Sequence, residues 1–203
     1  RRHRRLGRKS NSTVGEIMNL IIIIAAAAVI LTLLIIFTIF THNLLVSLDQ
    51  SVQESFSTMD IYLKKRYDLI PSLVTVVKNY TKHESETLIH VTDLRQKALN
   101  SENPADTIKL NQSITPKLAD ILAVAENYPV LKANQNFQDL SNNLIKVEDE
   151  IANSRKYYNG CVRLFNTKIH TFPTIIIAKL FHFTDKPLFT TSDKEKSNTK
   201  ISL

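Results

Sequence analysis

The pair His83-Glu84 is where enzyme chemistry would first be sought in this chain. A zinc-protease helix reads HExxH, because ligands at i and i+4 share one helical face and the glutamate acts as general base. Here position 87 is Thr, and the next histidine, His90, lies seven residues on. His83 and His90 still share a face, so a weak metal-dependent site using His83, Glu84 and His90 is the enzymatic alternative; surface or packed histidines are the plainer reading. The acidic run Glu148, Asp149, Glu150 reads as the wetted face of a helix. No GxGxxG, Walker loop or GxSxG occurs, and three glycines in the chain leave little material for phosphate-cradling loops. Cys161 stands alone, which excludes an intramolecular disulfide and a cysteine metal cage. The expectation is a protein with no catalytic residues, no cofactor and no bound metal.

A second set of polar residues lies close to apolar stripes. Arg66 and Asp68 are such a pair, and Arg66 is expected to form an ion pair with Asp68 or Asp60. Asn159, Asn166 and Thr167 flank an apolar helical stripe. Asparagine is disfavoured inside helices because its side chain competes for the backbone, so interhelical hydrogen bonds are the expected role, with a binding surface as the alternative.

These residues need elements to position them, and the chain is organised around residues 20–40, LIIIIAAAAVILTLLIIFTIF. This run carries no charge. As a helix it is roughly 31 Å long, the thickness of a bilayer core, and in lipid its backbone groups must pair within the segment. It exceeds the apolar stretch of a cleaved signal peptide and ends without a small-residue cleavage site. A retained transmembrane helix over 17–41 is therefore expected.

Charge supports the same reading. The chain carries +7, and most of it sits in the tail 1–16, with six Lys/Arg against one Glu. Such a tail could neutralise phosphates, but before a membrane helix it is a positive-inside signal. No Lys or Arg follows the helix until Lys64. The N-terminus is thus expected in the cytoplasm and the main domain outside it, with a lipid bilayer and no nucleic acid as partner.

Beyond the membrane the pattern is helical throughout, and no segment shows strand alternation. Leu45, Leu48, Val52, Phe56, Met59, Leu63 and Tyr67 form one face of a first helix expected to stop near Pro71. A second is expected over 71–99 and a third over 106–126, with Pro116 as either a kink or a late start. Asn134 is placed to cap a fourth, the longest, running to about Thr171. Its stripe from Phe137 through Leu144, Ile151, Tyr158 and Phe165 to Phe172 keeps near-heptad order, with Ile169 replacing Lys168. The expected fold is all-α: one transmembrane helix, then an antiparallel up-down-up-down four-helix bundle over 42–173. An apolar tail over 174–189 follows, too short to span and expected near the bilayer. Residues 190–203 are polar and expected to be disordered.

Residues 64–80, KKRYDLIPSLVTVVKNY, include Arg66, Tyr67, Asp68 and Pro71. They are followed by His83 and Glu84, then by Glu126, Tyr128, Pro129, Lys132, Asn136 and Phe137. Arg155, Tyr158, Asn159, Asn166, Thr167, Phe172 and Pro173 complete the series. In residue type and order this set closely resembles the LemA family over about 45–189. Phe165 departs from the family's usual Tyr, and His182 from its usual Gly, so a different backbone path is expected at His182. The resemblance implies a bacterial antiparallel helical bundle on one N-terminal membrane helix, with no defined catalytic chemistry and with some members linked to membrane organisation, magnetosome formation among them.

The functional expectation is a non-enzymatic scaffold or adaptor of the bacterial envelope. It would sit in the inner (plasma) membrane as a single-pass protein, form homo-oligomers and contact other envelope proteins. A peptide- or lipid-binding module using the apolar C-terminal tail is the alternative.

Overall fold

A computed structural model describes the backbone of residues 3–81 and 85–189, and the side chains of 17–81 and 86–189. His83 and Glu84 lie outside the described residues, as does the polar end 190–203 that was expected to be disordered. The described residues are all-helical, without a strand. The elements are α1 (His3–Lys78), α2 (Ser85–Leu99), α3 (Pro104–Val124), α4 (Pro129–Lys132), α5 (Gln135–His170) and α6 (Thr174–Leu180), with a 3-10 turn at Ala125–Asn127 before α4.

α1 is one helix of 76 residues that carries two environments in succession. The large apolar side chains from Ile17 to Phe40 are all exposed, Phe40 at 72%. Among the described residues this stretch alone is long and apolar enough to cross a membrane. Burial begins at Thr41 and Leu45, then recurs at Val52, Met59, Leu63, Arg66, Ile70, Leu73 and Val77. With no Gly or Pro between Phe40 and Ile70 to break it, the same helix passes from lipid-type surface to core-forming surface.

The first expected boundary is wrong. The chain does not break at Pro71: α1 continues through it to Lys78, and α2 begins only at Ser85. A proline inside a helix deprives the carbonyl four residues earlier of its partner, here that of Tyr67. Arg95 on α2 supplies the missing donor, its Nε lying 2.7 Å from the Tyr67 oxygen. A tertiary contact thus removes much of the local cost that would end the helix. Arg95→Ala is therefore expected to destabilise the protein by about 1–2 kcal/mol through an unsatisfied carbonyl. In a Pro71→Ala background the same change should cost far less, because residue 71 then supplies its own N–H; equal costs in both backgrounds of this thermal-denaturation cycle would contradict the explanation.

Helix ends elsewhere follow local chemistry. Asn103 caps α3, its side chain accepting from Ala105 N–H at 2.9 Å, with Pro104 in the first turn. Asn134 caps α5 by accepting from Phe137 N–H at 3.0 Å, and it also donates to the Tyr80 hydroxyl. α3 passes through Pro116 without ending.

α1 packs along α5 and α2 along α3. Tyr80 meets Asn134, Arg66 meets Glu148, and the Phe56 ring meets Tyr158 edge-on at 5.6 Å. Numbers fall along α5 as they rise along α1. The heptad positions Phe137, Leu144, Ile151, Tyr158 and Phe165 are all buried, and Ile169 takes the last turn. Phe172 does not continue the stripe: α5 ends at His170, the helical phase is lost, and Phe172 is 77% exposed. A cis peptide joins it to Pro173.

Candidate functional site

Two polar constellations stand out against this apolar frame. The first is centred on Arg66, whose side chain is 1% exposed at the heart of α1. One guanidinium nitrogen donates to Thr115 Oγ1 at 2.9 Å and to Glu148 Oε1 at 2.8 Å, and the other donates to Asn111 Oδ1. The Asn111 amide nitrogen in turn reaches the Tyr67 hydroxyl at 2.5 Å and the Thr107 carbonyl. A buried charge must be paired and hydrogen-bonded, and here one arginine ties α1, α3 and α5 together. Its partner is neither Asp68, which is exposed, nor Asp60, which pairs with Lys64 at 2.7 Å. It is Glu148, a member of the acidic run expected to be only a wet face. Asn111, Thr115 and Glu148 were missed. The available signal was a polar residue, Asn111, in the buried phase of α3 beside Ile108 and Ile114.

The second constellation holds the C-terminal segment. Past α6 the chain turns at His182 and runs back along α5 as an irregular strap, 183–189. The Asn159 side chain accepts from Phe189 N–H and donates to Phe189 C=O, both at 2.8 Å. Asn166 does the same for Lys186, at 3.0 and 2.9 Å. Tyr158 donates its hydroxyl to the Pro187 carbonyl at 2.7 Å. Lys186 crosses to Asp49 on α1 at 2.6 Å, and His170 lies 2.9 Å from Asp185. Phe189 is buried beneath the Arg155 guanidinium, 5.6 Å from its ring centre. The asparagines do not join helix to helix, as expected from sequence; they clamp main chain. A side-chain amide matches an extended peptide's N–H and C=O together, which explains two asparagines two turns apart.

His182 has φ 59°, the left-handed region that favours glycine. The turn thus adopts a glycine-type conformation although the residue is histidine.

Burial shapes the tyrosines of both sites. It pushes the Tyr158 hydroxyl up to about 12 and raises Tyr67 as well. A group whose acidity is weakened by folding ionises more readily in the unfolded chain, so its contribution is complete below about pH 10 and is lost as pH climbs toward 12. The melting temperature should fall between about pH 10 and 12, and Tyr158→Phe should flatten that fall while lowering the plateau at pH 7–8. An unchanged slope in the variant would assign the alkaline loss elsewhere.

The remaining candidates are scattered. Lys132 and Glu126 form an exposed ion pair at 2.6 Å beside half-buried Tyr128 and exposed Pro129. Asn136 and Thr167 are exposed, Phe137 is buried, and exposed Pro173 precedes α6. His90 is exposed on α2, and among the described residues no His, Cys, Asp and Glu side chains group so as to hold a metal ion. An open groove of about 610 Å³ lies between the end of α1 and α2, lined among the described residues by Val74, Leu88 and Ile89 and by Lys78, Thr92 and Asp93 among the polar ones.

The sequence model of the LemA family matches residues 55–203. The chain belongs to the LemA family. The matched region contains both constellations apart from Asp49, so the membrane-proximal part of α1 lies outside it. Among individual relatives, the chain is 26% identical over 161 residues to Protein LemA of Metamycoplasma hominis, covering 79% of this chain and 74% of that one. It is 23% identical over 186 residues to Magnetosome protein MamQ 2 of Paramagnetospirillum magneticum, covering 79% and 68%. To Magnetosome protein MamQ of Magnetospirillum gryphiswaldense it is 21% identical over 168 residues, covering 70% and 62%. Over its described residues this LemA-family chain is thus helical, with one helix among them suited to a membrane.

Proposed function

We propose that this chain is a non-enzymatic, self-assembling scaffold of the bacterial envelope, held in the plasma membrane by the 17–41 part of α1. In this reading the N-terminus is cytoplasmic, the helical domain extracytoplasmic, and α1, α2, α3 and α5 form an antiparallel four-helix bundle that presents surfaces to further copies and to other envelope proteins. The observation that carries it is the continuity of α1. One unbroken helix fixes the orientation of the domain relative to the membrane, so copies embedded side by side present the same faces at the same height. The magnetosome naming of two relatives is consistent with work at a membrane. Cross-linking through lysines in native membranes, read by mass spectrometry, tests the proposal: self-links incompatible with a single chain are expected, and links confined to one other protein would make the chain an adaptor instead. An absence of intercopy links would reject assembly.

A lipid-contacting role for the tail is favoured by a separate observation. α6 packs against α1 where it leaves the apolar stretch, with the Phe181 ring 4.4 Å from His42. Phe172, Ile176 and Leu180 are 77%, 57% and 63% exposed there, the pattern of an interfacial anchor. The chain has no tryptophan, so Phe172→Trp gives a single reporter. Brominated lipids should quench it strongly in liposomes, and emission unaffected by bromination would place α6 away from the bilayer.

A further inference from the structure

The strap is held as a ligand is held. Asn159 and Asn166 each take one N–H and one C=O from its main chain, at Phe189 and Lys186. Seven helical residues rise about 10.5 Å and three extended residues about 10 Å, so amides two turns apart fall opposite backbone positions three apart. These bonds accept any sequence. Selectivity comes from Phe189, sunk beneath Arg155, from Lys186 reaching Asp49, and from Phe183, edge-on to Phe165 at 6.2 Å. The groove between α1 and α5 is therefore built for an extended segment with aromatic side chains at its first and seventh positions and lysine at its fourth.

Two features direct that groove toward a second copy of the chain. The turn that folds the strap back rests on His182 in a left-handed conformation that a Cβ disfavours, so opening it relieves a local cost. The bonds described to Asn159, Asn166, Tyr158 and Asp49 are all made by residues beyond that turn, so transfer to a neighbour preserves them. We infer that the strap of one copy docks in the α1–α5 groove of its neighbour, linking copies in trans. The inference rests on the self-assembly reading above and names its contact.

The test uses full-length chains in native membranes, with Cys161→Ser throughout. One tagged copy carries Asp49→Cys, a second, differently tagged copy carries Lys186→Cys, and a short bis-maleimide is added. A covalent product joining the two tags is expected, falling at least about tenfold when Asn159→Ala and Asn166→Ala are added to the copy carrying Asp49→Cys. A single chain carrying both cysteines serves as the comparison. Efficient closure within that chain, with no product joining the tags, overturns the inference. Absence of both products also overturns it, since the strap then leaves the groove empty. Lysine cross-links between copies that persist in either case leave the assembly reading standing and remove only strap exchange, whereas their absence rejects both.

Discussion

Arg66→Ala is expected to lower stability by about 3 kcal/mol, at the lower end for breaking a buried ion pair, and to lower the melting temperature by roughly 6–12 °C for a domain of this size. The value sits at the lower end because Glu148 is 31% exposed and can rehydrate once its partner is gone. Asn111, fully buried, cannot. Its Oδ1 loses the guanidinium donor and remains inside the core, which supplies a substantial part of the cost. Glu148→Gln keeps an acceptor near Arg66 and should cost about 1 kcal/mol. The two changes combined should cost less than their sum, because they remove a shared contact. Thermal or denaturant unfolding in mild detergent measures all three. An Arg66→Ala variant as stable as the parent would show that the network does not hold α1, α3 and α5 together.

Asn159→Ala and Asn166→Ala are expected to act locally. Each removes two hydrogen bonds to the strap, together about 2 kcal/mol, which corresponds to roughly a thirtyfold increase in opening per substitution. Amide hydrogen exchange should report this at Lys186 and Phe189, whose N–H groups bond the two side chains directly. Exchange in the middle of α5 and in α3 should hardly change, since the strap places only Phe189 in the buried core, with Phe183 packed against its edge. Uniform acceleration across all helices would mean that the clamp supports the whole domain. No acceleration at 183–189 would mean that the strap is held by Phe189 and the Lys186–Asp49 pair, with the asparagines incidental.

Both predictions concern residues whose importance was visible in the sequence and whose roles were not. Arg66, Asn159 and Asn166 stood out because charged and amide side chains are anomalous beside apolar helical stripes. Their partners lie 45, 82 and 20–30 residues away in the chain. Periodicity assigns a residue to a face of its own helix, and it carries no information on which side chain faces it from another. For the same reason Glu148 was indistinguishable from its acidic neighbours until α1 was placed against α5.

The sequence by itself determined the helical class, the membrane-suited stretch of α1, the cap at Asn134, and the heptad stripe of α5. Each depends on local terms: apolar spacing, side-chain volume, and a donor or acceptor within three residues. Tertiary structure alone decided that α1 runs through Pro71, because the group satisfying the Tyr67 carbonyl is Arg95 on another helix. It alone decided that the asparagines of α5 bind main chain rather than a helix, because the strap carries no amphipathic period and its path is set by two amides waiting at the right separation. Short-range chemistry writes regular elements into a sequence; the contacts that join them are long-range, and only the folded chain brings them within reach.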